Sequence, residues 1–95
     1  DQARWWLVCY DVRDPARLRR AARLLEGAGT RVQFSIFRCW LDRERMEKLR
    51  FELTRVLDPE DDVLMIPLCT RCVSGLETTH TAHKLPEWPD RPAGH

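Results

Sequence analysis

The chain has 95 residues, 43% of them hydrophobic and 33% charged, which is the composition of one compact domain and excludes a disordered chain. No apolar run approaches the ~20 residues that a membrane-spanning helix needs, and a formal net charge of +1 excludes nucleic-acid binding by bulk charge alone. Of the 16 basic residues only Lys48 and Lys84 are lysines, so the informative quantity is where the planar, phosphate-matching arginine forks sit.

The first element is Trp5 to Asp11, in which six apolar or aromatic residues stop abruptly at a carboxylate. The run reads as a buried strand with Asp11 at its C-terminal end, where α/β-type layers commonly expose their chemistry. Asp14 and Pro15 then open a helix as N-cap and first-turn proline, and Leu18, Ala21, Ala22 and Leu25 give it a narrow apolar stripe. Arg17, Arg19, Arg20 and Arg23 surround that stripe, with Arg23 and Glu26 spaced as a local pair. Gly27 and Gly29 end the helix, one of them in the left-handed cap conformation.

From Thr30 to Leu41 the apolar residues alternate with a period of two, as one long strand or as two short ones bent near Ser35. Leu41 and Asp42 start a second helix as staple and N-cap, and Met46, Leu49, Leu53, Val56 and Leu57 supply its buried face. Phe51 falls off that stripe. Asp58-Pro59 stops the helix, Glu60, Asp61 and Asp62 form an acidic connection, and Val63 to Ile66 make a strand with Pro67 at its edge. A weak extended piece follows at residues 73–78, and residues 79–95 form a C-terminal extension whose aperiodic sequence holds one large aromatic, Trp88.

Strand, helix, strand region, helix, strand is the order of an α+β sandwich: a split βαβ unit with an antiparallel sheet and two helices on one face. A chain this short buries a limited share of its surface, so completion by a second copy is expected, and a homodimer is its economical form. The C-terminal extension is expected to pack on the partner subunit.

Two metal readings compete. One is phosphodiester chemistry at Asp11, because magnesium takes hard oxygen ligands and can be held by one carboxylate and a substrate phosphate. A two-fold axis could set Asp11 beside its copy. The other is a zinc site made by Cys69, Cys72, His80 and His83, whose thiolate and imidazole donors suit zinc. The seven residues between the two pairs are fewer than finger spacing requires, which favours ordinary cysteines. Cys9 and Cys39 lie in apolar runs as small buried hydrophobes, which fits a reducing, cytoplasmic setting.

Several segments together carry a family resemblance: Tyr10-Asp11-Val12, the arginine-rich opening of the first helix, Leu25-Glu26-Gly27-x-Gly29, the run Arg31 to Phe37, and the passage from Leu57 through Asp62 to Cys69. In this order they resemble the CRISPR-associated protein 2 family over roughly residues 5–78. The resemblance implies a ferredoxin-like fold, a homodimer, and two copies of Asp11 facing one another across a cleft that takes a divalent cation, Mg2+. It implies a small endoribonuclease-like subunit of the spacer-acquisition machinery, with magnesium-dependent endonuclease activity on DNA or single-stranded RNA. The alternative it leaves is a non-catalytic DNA-binding scaffold that bridges integrase subunits. Carried onto this chain, Asp11 is the catalytic metal ligand and Tyr10, Ser35 and Phe37 shape its surroundings, while Arg17, Arg19, Arg20 and Arg31 contact nucleic acid.

Overall fold

A computed structural model of the chain describes residues 2–69 and 71. Its elements are β1 (Arg4–Asp11), α1 (Pro15–Ala28), β2 (Gly29–Gln33), β3 (Ile36–Leu41), α2 (Arg43–Val56) and β4 (Asp62–Leu68). The four strands form one antiparallel sheet in the order β2-β3-β1-β4. With both helices on one face, this is the ferredoxin-like sandwich expected from the sequence. The most apolar strand, β1, occupies an interior position, and Pro67 lies in β4 at the sheet edge, where a missing N–H is tolerated.

Strand register decides which side chains meet the helices. Trp6 and Val8 stand opposite Cys39 and Phe37 on β3, and Val8 and Tyr10 stand opposite Met65 and Val63 on β4. These residues share the helix-side face. Val8, Phe37 and Cys39 are fully buried there against Ala21 and Leu25 of α1 and Met46 and Leu53 of α2. Ala21 adds little bulk to the buried face of α1, and Trp6 donates its indole N–H to the Leu41 carbonyl at 3.0 Å.

Both helices begin as the sequence dictates. The Asp14 side chain accepts from the Arg17 N–H at 3.0 Å and Asp42 accepts from the Arg45 N–H at 2.8 Å, satisfying N–H groups that the first turn of a helix leaves without partners.

Of the two forms open for Thr30 to Leu41, the region takes the second, two short strands with Phe34 and Ser35 as the turn and a register shift between Arg31 and Gln33; Phe34 stands at the tip, 78% exposed. Two local expectations are corrected. Gly29 caps α1 with extended backbone, φ −167°, and not in the left-handed region. Glycine is needed there because a Cβ would sit 2.7 Å from Cys39 Sγ and closer still to the Arg38 carbonyl oxygen. Arg23 and Glu26 form no ion pair among the described residues. The weak strand expected at residues 73–78 and the extension at 79–95 lie outside the described residues.

The sheet's second face carries no described helix. Leu7, Cys9, Ile36, Trp40 and Ile66 are half-buried on it, and Leu64 is 59% exposed. No helix of the described residues is long and apolar enough to cross a membrane.

Candidate functional site

Asp11 is the last residue of β1, exposed, on the face away from the helices. Its cross-strand partner is Asp62, the first residue of β4. Directly opposed residues of an antiparallel pair hold their Cβ atoms ~4.5–5.5 Å apart, and like charges so placed repel. A single chain therefore sets two carboxylates opposite each other across a strand pair. Read as sequence, Asp62 was one of three acids in a connection; only the β1–β4 register singles it out.

The acids around it have other tasks. Asp14 caps α1. Asp61, its side chain 2% exposed, binds Arg17 Nε at 2.8 Å and accepts from the Asp58 N–H at 2.8 Å, while Glu60 accepts from the same guanidinium at 3.0 Å. The Arg17 guanidinium and the Asp58 N–H hold the Asp61 carboxyl below the usual carboxylate range, and the hydrogen bond to Asp61 in turn raises Arg17. Arg17 thus ties the start of α1 to the α2–β4 connection, whereas Arg19 and Arg20 are exposed and form no ion pair among the described residues.

Tyr10, Arg31, Ser35 and Phe37 form one small assembly beside Asp11. The Tyr10 N–H donates to the Ser35 carbonyl at 3.1 Å, pinning the β2–β3 turn to the end of β1. The buried Tyr10 hydroxyl donates to the Phe34 carbonyl at 3.4 Å and accepts from the Arg31 guanidinium at 3.5 Å. Arg31 also donates to the Phe34 carbonyl and lies 4.7 Å over the Phe37 ring, which itself sits 6.0 Å from the Tyr10 ring. The strand end and the turn are therefore held as a unit, and Arg31 is committed to the turn.

Of the zinc reading, Cys69 is exposed; Cys72, His80 and His83 lie outside the described residues. Burial pushes the Cys39 thiol up to about 12, the behaviour of a core side chain. Among the described residues no group of three or more His, Cys, Asp or Glu is gathered to hold a metal ion. The Asp11–Asp62 pair is a donor set of hard oxygens with open solvent around it. It fits magnesium, which binds through one or two carboxylates and keeps several waters.

Residues 4–75 match the family model described as CRISPR associated protein Cas2. A CRISPR-associated endonuclease Cas2 of Thermus thermophilus is 43% identical over 63 residues, 66% of this chain and 70% of the relative. A CRISPR-associated endoribonuclease Cas2 of Synechocystis is 44% identical over 66 residues, 67% of this chain and 71% of the relative. The crystal structure of Streptococcus pyogenes Cas2 at pH 6.5 superposes with a TM-score of 0.73 at 32% identity, covering 80% of this chain and 99% of that one.

Proposed function

The chain belongs to the CRISPR-associated protein Cas2 family, and from that premise we propose that it is a cytoplasmic adaptation protein acting in spacer acquisition. In this reading it works as a homodimer that hydrolyses phosphodiester bonds of RNA or DNA with magnesium held at Asp11. The observation that carries the chemistry is the opposition of Asp11 and Asp62 at the exposed ends of β1 and β4. Two carboxylates facing each other across a strand pair are mutually repulsive, and a divalent cation is the partner that relieves them. Bound there, magnesium would polarise a phosphoryl oxygen and lower the pKa of a coordinated water.

The chain's own residues supply the rest. Asp11 and Asp62 would hold the cation, and the hydrogen bond from the Tyr10 N–H to Ser35 keeps the strand end from fraying. Arg19 and Arg20, exposed on α1, are suited to bind the phosphate backbone, which positions a substrate without reading its sequence. The names borne by the relatives, endonuclease and endoribonuclease, support a nuclease that takes more than one nucleic acid.

A second reading rests on the sparseness of the site, two carboxylates with no third His, Cys, Asp or Glu ligand gathered among the described residues. Here the dimer is a scaffold that binds duplex DNA and bridges integrase subunits, with Asp11 dispensable. One comparison separates the two. Asp11→Asn and Asp62→Asn are each assayed for magnesium-dependent cleavage in vitro and for spacer acquisition in cells. The nuclease reading expects cleavage to fall on the order of a hundredfold or more in Asp11→Asn, with the fold intact by circular dichroism. Cleavage at the wild-type rate overturns it, and lost cleavage with full acquisition assigns the protein's main work to the scaffold.

A further inference from the structure

Among the described residues β4 is an edge strand, and Val63 and Met65 face the helix side from it. Yet no Cα of either helix comes within 8 Å of a Cα of β4. The space left between β4 and the second half of α2 is a groove of about 500 Å3. Its floor is apolar, made by the buried Leu53 and the half-buried Leu57, Val63 and Met65. Arg50 and Thr54 stand on its rim, both exposed, and the α2–β4 connection closes one end. The pairing of Arg50 with Glu47, at 3.8 Å, is too long for a hydrogen bond. The chain beyond β4 carries a matching pattern. Residues 84–92 have neither a helical nor a strand period, but they repeat at every third position: Pro86, Pro89 and Pro92 form one column, Leu85 and Trp88 a second, Glu87 and Asp90 a third. Polyproline II has three residues per turn and is the conformation of proline-rich segments, so this sequence encodes an apolar stripe of Leu85 and Trp88 beside an acidic one.

We propose that residues 84–92 dock in this groove of their own chain as a polyproline II segment, with Leu85 and Trp88 on the apolar floor and the acidic stripe at Arg50. Reach permits it. The groove begins three to five residues, or ~10–17 Å, back along β4 from Leu68, and residues 72–83 can span up to ~40 Å when extended. Shape and polarity select the occupant: Trp88 is the only aromatic residue after Arg71, an indole removes ~150–250 Å2 from water when buried, and the groove lies within the ~300–1,000 Å3 of pockets that enclose small ligands. Charge agrees, because Glu87 and Asp90 are carboxylates for an exposed guanidinium that holds no close partner in Glu47. Two terms favour the chain's own tail over a free peptide. A proline-rich segment gives up little freedom on docking, and the short tether sets its effective concentration near the millimolar range. Docked there, the tail rests on the connection that delivers Asp62 to its place opposite Asp11. The inference stands whether or not the carboxylate pair cleaves.

The test uses the full chain with fluorotryptophan in place of its four tryptophans, read by fluorine NMR. Trp88→Phe assigns the Trp88 signal, and a synthetic peptide of residues 79–95 with the same label marks its undocked position. In the wild type the Trp88 signal is expected away from the peptide position. Thr54→Arg sets a long side chain across the mouth of the groove from an exposed helix position, and the signal should return to that of the peptide. Arg50→Glu reverses the rim charge on the surface and should return it part of the way. The signals of Trp5, Trp6 and Trp40 report the intact fold; if Thr54→Arg disturbs them, Arg50→Glu decides. A Trp88 signal at the peptide position in the wild type overturns the proposal. So does a displaced signal that the groove variants leave unmoved, which puts the tail elsewhere on the molecule. A displacement that vanishes on dilution to where light scattering gives the mass of one chain also overturns it, by assigning the groove to the tail of a second copy.

Discussion

Arg17 shows how a charged side chain changes meaning once its neighbours are known. In sequence it stands among four arginines of one helix, equally suited to phosphate or to solvent; in the fold its guanidinium is shared between Asp61 and Glu60, 44 and 43 positions away. Sequence spacing cannot report such a pair, because it forms only when α1 lies across the α2–β4 connection. The Asp61 carboxyl is depressed, first by its hydrogen bond from Arg17 and then by the Asp58 N–H. A carboxylate with a lowered folded pKa contributes stability that is complete above its unfolded value of ~3.9 and is lost as pH falls through the folded value. Asp61→Asn should therefore lower the melting temperature at pH 7. The gap between variant and wild type should then close as pH is lowered from about 5 to 2. Melting curves across that range check it, and a gap that stays constant with pH would mean that the charge of Asp61 contributes nothing.

Elements were legible wherever a local rule decides them. Asp14-Pro15 and Leu41-Asp42 mark helix starts because capping is settled within four residues, and β1 announces itself by six apolar residues in a row. The β2–β3 region was not legible, because its two-residue turn, Phe34-Ser35, lacks the Asn-Gly or Asp-Gly signature and its alternation runs straight through the bend. Asp62 was hidden for a related reason, since facing Asp11 is a property of strand register and no local pattern carries it. Gly29 joins both lessons: the helix does end there, but the glycine serves the passage of β2 against Arg38 and Cys39. Gly29→Ala should destabilise the fold by about 1–3 kcal/mol, the range for an added methyl that its surroundings cannot admit. Gly27→Ala, where an added Cβ meets nothing within 4 Å, should be neutral or slightly stabilising inside α1. Paired urea melts of the two variants measure the difference, and equal stabilities would remove the close-approach account of Gly29.

At the scale of the molecule, the helices cover one face of the sheet and leave the other apolar, with Leu64 at 59% exposure among half-buried Leu7, Cys9, Ile36 and Ile66. A domain this small gains stability by removing such a face from water, and a second copy placed on it would do so with one self-complementary patch. The same face carries Asp11 and Asp62, so the homodimer reading and the shared-metal reading make one joint prediction. Leu64→Arg puts a charge into that interface without touching the helix-side core. Light scattering should then give the variant a single chain's mass, 11.2 kDa, where the wild type gives twice that. If the cation needs Asp11 from both protomers, magnesium-dependent cleavage should fall together with the dimer and return as protein concentration is raised. A variant that stays dimeric places the interface elsewhere. A monomer that cleaves at the full rate would show that Asp11 and Asp62 of one protomer suffice, because the cross-strand pair, unlike the symmetric pair of Asp11 residues, is complete within a single chain.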